Sequence, residues 1–168
     1  MSDAPFVIRA AVLTVSDRCA AGASVDASGP RVESVLRERL LAAVVERALV
    51  PDGIESVEGV LRLWCDPRAG LHLVAVTGGT GFSPRDVTPE AAMRVIDRPA
   101  PNLMELARAR CGAAHPKAYL SRAVAGVANR TLVITLPGSP AGAAEMLEAI
   151  VDILPHAARL AAGDSAGH

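Results

Sequence analysis

The stretch LHLVAVTGGTG, residues 71–81, decides the fold. Residues 71–76 form a nearly continuous aliphatic run without the polar alternation of a strand that has one wet face. Such a run describes a central parallel strand buried on both sides. It passes directly into Thr77-Gly78-Gly79-Thr80-Gly81, a tight turn in which glycine lets the backbone take unusual dihedrals and approach a ligand closely.

The segments on either side repeat the same grammar. Residues 6–15 (FVIRAAVLTV) read as a buried strand that stops at Ser16-Asp17-Arg18. A loop of small and polar residues, 19–29, follows, and Gly29-Pro30 then opens a helix with Val32, Val35, Leu36 and Leu40 at helical spacing. Residues 44–50 suit a second strand, with Glu46 and Arg47 on an exposed face or at a frayed start. Pro51-Asp52 opens a second helix, whose apolar stripe is Ile54, Val57, Leu61 and Trp64.

Beyond the glycine turn, Thr88-Pro89 carries an N-cap and first-turn signature for a helix over 89–97. Pro99 and Pro101 break it before another helix around 102–110. Residues 119–127 and 132–136 read as strands of a hairpin around Ala128-Asn129-Arg130. Pro137-Gly138-Ser139-Pro140 leads into a last helix carrying Met146, Leu147, Ile150, Val151 and Leu154, with a kink expected at Pro155. The alternation predicts one α/β domain over residues 1–162, a three-layer fold with a mostly parallel central sheet flanked by helices. Residues 163–168 are expected to form a mobile tail.

Composition narrows the partners. The chain has 168 residues, 51% of them hydrophobic, but one Trp, one Tyr and two Phe, so aliphatic side chains must fill the core. Lys and Arg total 17 against 18 Asp and Glu, interspersed, which leaves no basic field for nucleic acid and no aromatic platform for single strands. The apolar runs are strand-sized, too short for a membrane span, and the N-terminus with Asp3 lacks a signal pattern, so a cytoplasmic location is expected. Cys19, Cys65 and Cys111 are odd in number and scattered, as are the four histidines. Free or buried thiols are expected there, not disulfides or a zinc site.

In parallel α/β folds, ligands gather outside the carboxyl ends of the strands. Three strand ends here look alike: Ser16-Asp17, residues 77–81, and Pro137-Gly138-Ser139. Each places small or hydroxylic residues before a loop or helix, where free backbone N–H groups favour phosphate. No Gly-Lys-Ser/Thr ending follows the glycines and their spacing is not a dinucleotide fingerprint, which disfavours a P-loop ATPase or a nicotinamide enzyme. Asp52 and Asp86 both lie beside strand-to-helix turns and could hold a magnesium ion between phosphates. Each also has a structural alternative. Asp52 with Glu55 resembles a capping box, and Asp86 could form a turn with Arg85.

Residues 77–90, TGGTGFSPRDVTPE, resemble the signature of the molybdopterin adenylyltransferase family, the molybdenum-cofactor proteins that include MogA and the gephyrin G domain. LTVSDR at 13–18, PD at 51–52, LSR at 120–122 and LPGS at 136–139 match that family in order, over roughly residues 7–160. The resemblance implies magnesium-dependent transfer of AMP from ATP to the terminal phosphate of molybdopterin. Asp52 and Asp86 would be the catalytic, metal-positioning carboxylates. Ser16, Asp17, Gly78, Gly79, Thr80 and Gly81 would bind the nucleotide, with residues 26–29 at its border. Ser121, Arg122, Gly138 and Ser139 would contact molybdopterin. It further implies a homotrimer and a separate downstream molybdenum-insertion protein. The chain departs from the family at Gly53, Pro99 and Asn102, departures that bear on the pterin side of the pocket. A binding-only relative and a nucleotide pyrophosphate hydrolase are the alternatives; a transfer assay separates the first, and molybdopterin dependence of ATP consumption discriminates the second.

Overall fold

The computed structural model describes residues 6–164. The expectations for the N-terminus up to residue 5 and for tail residues 165–168 lie outside the described residues. The elements in chain order are β1 (Arg9–Val15), α1 (Asp17–Ala20), α2 (Ser28–Arg39), β2 (Ala43–Val50), α3 (Ile54–Trp64), β3 (Leu73–Thr77) and α4 (Thr88–Met93). They continue with β4 (Arg98–Pro99), α5 (Pro101–Gly112), β5 (Ala125–Ala128), β6 (Thr131–Leu136), α6 (Pro140–Glu148) and α7 (Leu154–Ala161). The strands form one sheet in the order β2-β1-β3-β6-β5-β4. β2, β1, β3 and β6 run parallel, and β5 and β4 complete the sheet antiparallel.

The expected three-layer α/β fold is thus present. All five residues of β3 and all six of β6 are buried. Alternate side chains go to opposite layers, because successive Cβ atoms point to opposite faces of a strand. Leu73, Ala75, Leu132 and Ile134 join Val32, Val35 and Leu36 of α2 and Met146 and Leu147 of α6 in one core. Val74, Val76 and Val133 join Val57 and Leu61 of α3 and Ala91 and Ala92 of α4 in the other. Full burial of about a dozen aliphatic side chains at roughly 1.5–3 kcal/mol each makes these two layers the main source of stability.

Several boundaries differ from the sequence expectation. The second helix begins at Ile54, with Gly53 at its N-cap and no side-chain cap, so Asp52 and Glu55 do not form a capping box. Thr88 does not cap α4 either: it is the first helical residue, and Val87 holds the cap position. That helix ends at Met93 instead of running to 97, since the Asp97 N–H joins the sheet through Val127 O at 2.9 Å. Residues 119–124 are not strand. Pro116–Leu120 is a 3-10 turn, and pairing begins at Ala125. The hairpin turn at Asn129 is confirmed: Asn129 takes φ 53 and its side-chain amide donates to Cys65 O at 2.9 Å. Pro155 does not kink one long helix. It lies in the first turn of a separate helix, α7, where its missing N–H is not needed. The 19–29 loop expectation holds from Ala21 to Ala27, after the single turn of α1.

The topology also explains where a ligand belongs. From β1 the chain moves outward to β2 on one side, then returns across β1 to place β3 on the other. This reversal opens a crevice between the carboxyl ends of β1 and β3.

Candidate active site

Two acidic residues from neighbouring strand ends hold each other in place. Asp52 N–H donates to Asp17 Oδ1 at 3.0 Å, and Asp17 N–H donates to Asp52 Oδ2 at 2.8 Å. Arg85 then reaches from the loop after β3 to close the cluster. Its guanidinium donates to Asp17 Oδ2 (Nη2 2.6 Å, Nε 3.1 Å) and to the Asp52 carbonyl at 3.0 Å. This guanidinium holds the Asp17 carboxyl below the usual range, although the residue remains open to solvent. Arg85 therefore pairs with Asp17 and not, as a simple turn would have it, with Asp86. The Asp86 carboxylate instead accepts from Ser83 N–H at 2.9 Å.

The reciprocal bonds leave the second oxygen of Asp52, Oδ1, with no hydrogen bond among the described residues. That oxygen faces the glycine turn: a Cβ built on Gly79 would lie 3.2 Å from it. Gly78 and Gly79 are the two positions where the turn requires glycine. Gly78 takes φ +107, and a Cβ there would sit 2.1 Å from the Val15 carbonyl. Gly79 takes φ +63, and its Cβ would sit 2.4 Å from Thr88 Oγ1. Thr88 Oγ1 is buried without a hydrogen-bond partner among the described residues.

The expected site residues other than Asp17 and Arg122 divide between two adjoining pockets, and Asp17 lines neither but holds Asp52 in place. A cleft of ≈ 390 Å³ is lined by Ser16, Asp26, Asp52, Gly78, Gly79 and Asp86 among others. Ser16 also caps α1, accepting from Cys19 N–H at 3.2 Å. Asp26 ties the loop before α2 to β1, accepting from Thr14 Oγ1 at 2.8 Å and from Gly29 N–H at 2.9 Å. A pocket of ≈ 370 Å³ is lined by Thr80, Gly81, Ser121, Ser139 and residues of α5 and α6. Gly138 lines both. Thr80 and Gly81, expected beside the nucleotide with Gly78 and Gly79, thus face the second pocket. Ser139 caps α6, accepting from Gly142 N–H at 3.2 Å, and Thr80 Oγ1 and Ser121 Oγ share a hydrogen bond of 3.1 Å.

Arg122 lines neither of these pockets; with Ser121, Pro99 and Arg108 it borders a third, separate one of ≈ 390 Å³. Its Nε donates to Gly81 O at 2.8 Å, and its terminal nitrogens bond Asp86 O and the Glu90 carboxylate. The Glu90 carboxyl is held below the usual range by this guanidinium. Four lining residues of the second pocket escaped the sequence reading: Cys111, His115, Lys117 and Glu145. Three of them lie in or next to an irregular turn with no periodicity. The available signal was that Lys117 is the only lysine in the chain. His115 Nε2 lies 3.9 Å from Glu145 Oε2 at the rim.

The chemistry of the donor set suits a hard divalent cation bound with phosphate. Two carboxylates, Asp52 with a free oxygen and Asp86, open on one cleft beside a turn stripped of side chains. No group of three or more metal-ligating side chains occurs among the described residues. Magnesium bound through one or two carboxylates plus substrate phosphates needs no such group.

A divided cleft at the switch point of an α/β sheet, with a glycine turn and paired carboxylates beside it, has the features that suit a phosphate-bearing ligand. Residues 11–156 match the family described as probable molybdopterin binding domain, and the chain belongs to that family. It is 38% identical over 158 residues to a molybdopterin adenylyltransferase of Helicobacter pylori, covering 94% of this chain and 89% of that one. The molybdenum cofactor synthesis protein cinnamon of Drosophila melanogaster is 37% identical over 153 residues, which is 91% of this chain. The chain spans about a quarter of cinnamon's length (25%). Among solved structures, the molybdopterin biosynthesis enzyme MoaB of Thermus thermophilus superposes with a TM-score of 0.88 at 46% identity, covering 94% of this chain and 98% of that one.

Proposed function

We propose that this domain transfers AMP from ATP to the terminal phosphate of molybdopterin, releasing pyrophosphate, in the biosynthesis of the molybdenum cofactor. The observation that carries the reading is the divided cleft: two pockets share Gly138, and the glycine turn with Asp52 and Asp86 borders their junction. ATP would occupy the cleft of Ser16, Gly78 and Gly79, with Asp17 holding Asp52 beside it. Molybdopterin would occupy the pocket of Ser121, Gly138 and Ser139, with Thr80 and Gly81 at the boundary where the two phosphates meet.

The chemistry asks little of a proton acceptor. A phosphate monoester has its second pKa around 6, so the attacking oxygen is already ionised near pH 7. That oxygen forms a bond to the α-phosphorus of ATP as the bond to the β-phosphate oxygen breaks, and pyrophosphate carries the electrons away. The difficulty is crowding of like charge, met by alignment and by charge neutralisation. Asp52, through Oδ1, and Asp86 are the residues to hold magnesium, which when bound would neutralise the polyphosphate and orient it. Gly78 and Gly79 let phosphate approach the backbone, and Asp17 with Arg85 keeps Asp52 in orientation.

A homotrimer and a cytoplasmic location, the first implied by the family resemblance and the second expected from the sequence, are further parts of this proposal. No described helix is long and apolar enough to cross a membrane. Incubation of the protein with ATP, magnesium and molybdopterin should yield adenylylated pterin and pyrophosphate. ATP consumption without pterin would point to a hydrolase, and pterin binding without consumption to a binding protein. Light scattering should give three times the chain mass.

A further inference from the structure

Arg122 stands beside Ser121 in the segment that the family resemblance assigns to molybdopterin, yet its bonds run to the glycine loop. Its own N–H donates to Thr80 O at 2.8 Å. Its Nε donates to Gly81 O at 2.8 Å, Nη2 donates to Asp86 O, and Nη1 and Nη2 reach the two oxygens of Glu90. A guanidinium has five N–H donors. Four are committed here, to a carbonyl at each end of the 81–86 loop and to a carboxylate on α4.

We infer that Arg122, anchored by Glu90, is a positioning residue: it clamps the loop at Gly81 and Asp86 and so presents the Asp86 carboxylate to the cleft, and it is not a molybdopterin contact. The loop needs such a clamp because it has few bonds of its own. Asp86 N–H donates to Ser83 O at 2.9 Å and Ser83 N–H returns to Asp86 Oδ2 at 2.9 Å, a closed turn that fixes the carboxylate relative to the loop, and Arg85 ties the loop to the β1 and β2 ends through Asp17 Oδ2 and Asp52 O but leaves its β5 side unanchored. Arg122 supplies the second constraint from the chain segment that leads into β5. A lysine could not do so, since a single ammonium lacks the planar fork that bridges two carbonyls and a carboxylate at once.

The inference rests on the transferase reading for its kinetic consequence but not for its structural one. Loss of an outer partner of a metal-holding group typically costs about 10–100-fold in metal affinity or activity. Arg122→Ala should therefore lower kcat about 10–100-fold and raise the magnesium concentration needed, while KM for molybdopterin stays within about twofold. Glu90→Gln should move the same quantities in the same direction by less, and Arg122→Lys should not rescue. Hydrogen exchange on the substrate-free protein provides the independent measurement: amides of residues 81–87 should exchange faster in Arg122→Ala, with those of β1 and β3 unchanged. A molybdopterin KM raised tenfold or more with kcat retained would overturn the inference, as would unaltered exchange in the loop. If Arg122→Ala fails to fold, Glu90→Gln carries both measurements. If the wild-type protein transfers no AMP, the proposed function falls, and the exchange result alone still decides the clamp.

Discussion

Replacing Asp52 by Asn removes one charge and almost no volume, and the structure specifies what each half of the side chain should do. The Asp52 carboxylate does not cap α3; Oδ2 accepts from Asp17 N–H and Oδ1 faces Gly79. In the variant the amide oxygen should take the place of Oδ2, because an NH₂ group there would oppose the Asp17 N–H. One charge-assisted hydrogen bond, typically 1.5–3 kcal/mol, becomes a neutral one of 0.5–1.5, a loss of about 1 kcal/mol. For a domain of this size that is a fall in Tm of about 2–4 °C. The NH₂ group would then occupy the position of Oδ1, where a cation cannot use it. Removing one preorganised electrostatic group from a transfer site costs about 10²–10³ in rate, about 3–4 kcal/mol. Thermal melting and pyrophosphate release, measured on the same preparation, check both numbers. Activity within threefold of wild type would show that the charge is not needed, and a Tm lowered by more than about 8 °C would show that the clasp with Asp17 had been undervalued.

Other outcomes follow from the same geometry. Gly79→Ala should cost about 1–2 kcal/mol for the left-handed backbone and about 1–3 kcal/mol for displacing Thr88, whose Oγ1 lies 2.4 Å from the new Cβ. Adding Thr88→Ala should restore part of that stability in denaturant titration, whereas ATP affinity measured by calorimetry should stay low. The Asp17 and Glu90 carboxyls are held below their usual range by Arg85 and Arg122, so what these pairs contribute is fully present above about pH 4.3 and is lost only as pH falls through the lowered values. Transfer activity should instead fall with a midpoint near pH 6, where the attacking phosphate gains its proton; a profile flat down to pH 5 would count against that nucleophile. The Cys65 thiol is buried and pushed up to about 12, first by burial and then by Asp97. It should resist alkylation in the folded protein at pH 8 and react only after unfolding, as mass spectrometry of the labelled chain would show.

Much of this protein is written locally. The run at residues 71–76 and the glycines after it state a buried parallel strand and a sharp turn without reference to the rest of the chain, since burial on both faces and positive φ are properties of a few neighbouring residues. The same holds for the apolar stripes of α2 and α3 and for the hairpin at Asn129. That Asp52 and Asp86 share a cleft was legible too, because strand ends of a parallel sheet converge on one edge. What a side chain does after arriving there was not. Asp52 with Glu55 spells a capping box, but its carboxylate found the Asp17 amide 35 residues away, and Arg85 passed over Asp86 beside it for Asp17, 68 residues away. Arg122 sits in a segment that motif resemblance gives to the pterin, and packing turned its guanidinium onto the glycine loop. Periodicity and turn chemistry depend on near neighbours, whereas a polar group takes its hydrogen-bond partner from whatever the folded backbone brings within about 3 Å, and only tertiary structure decides that.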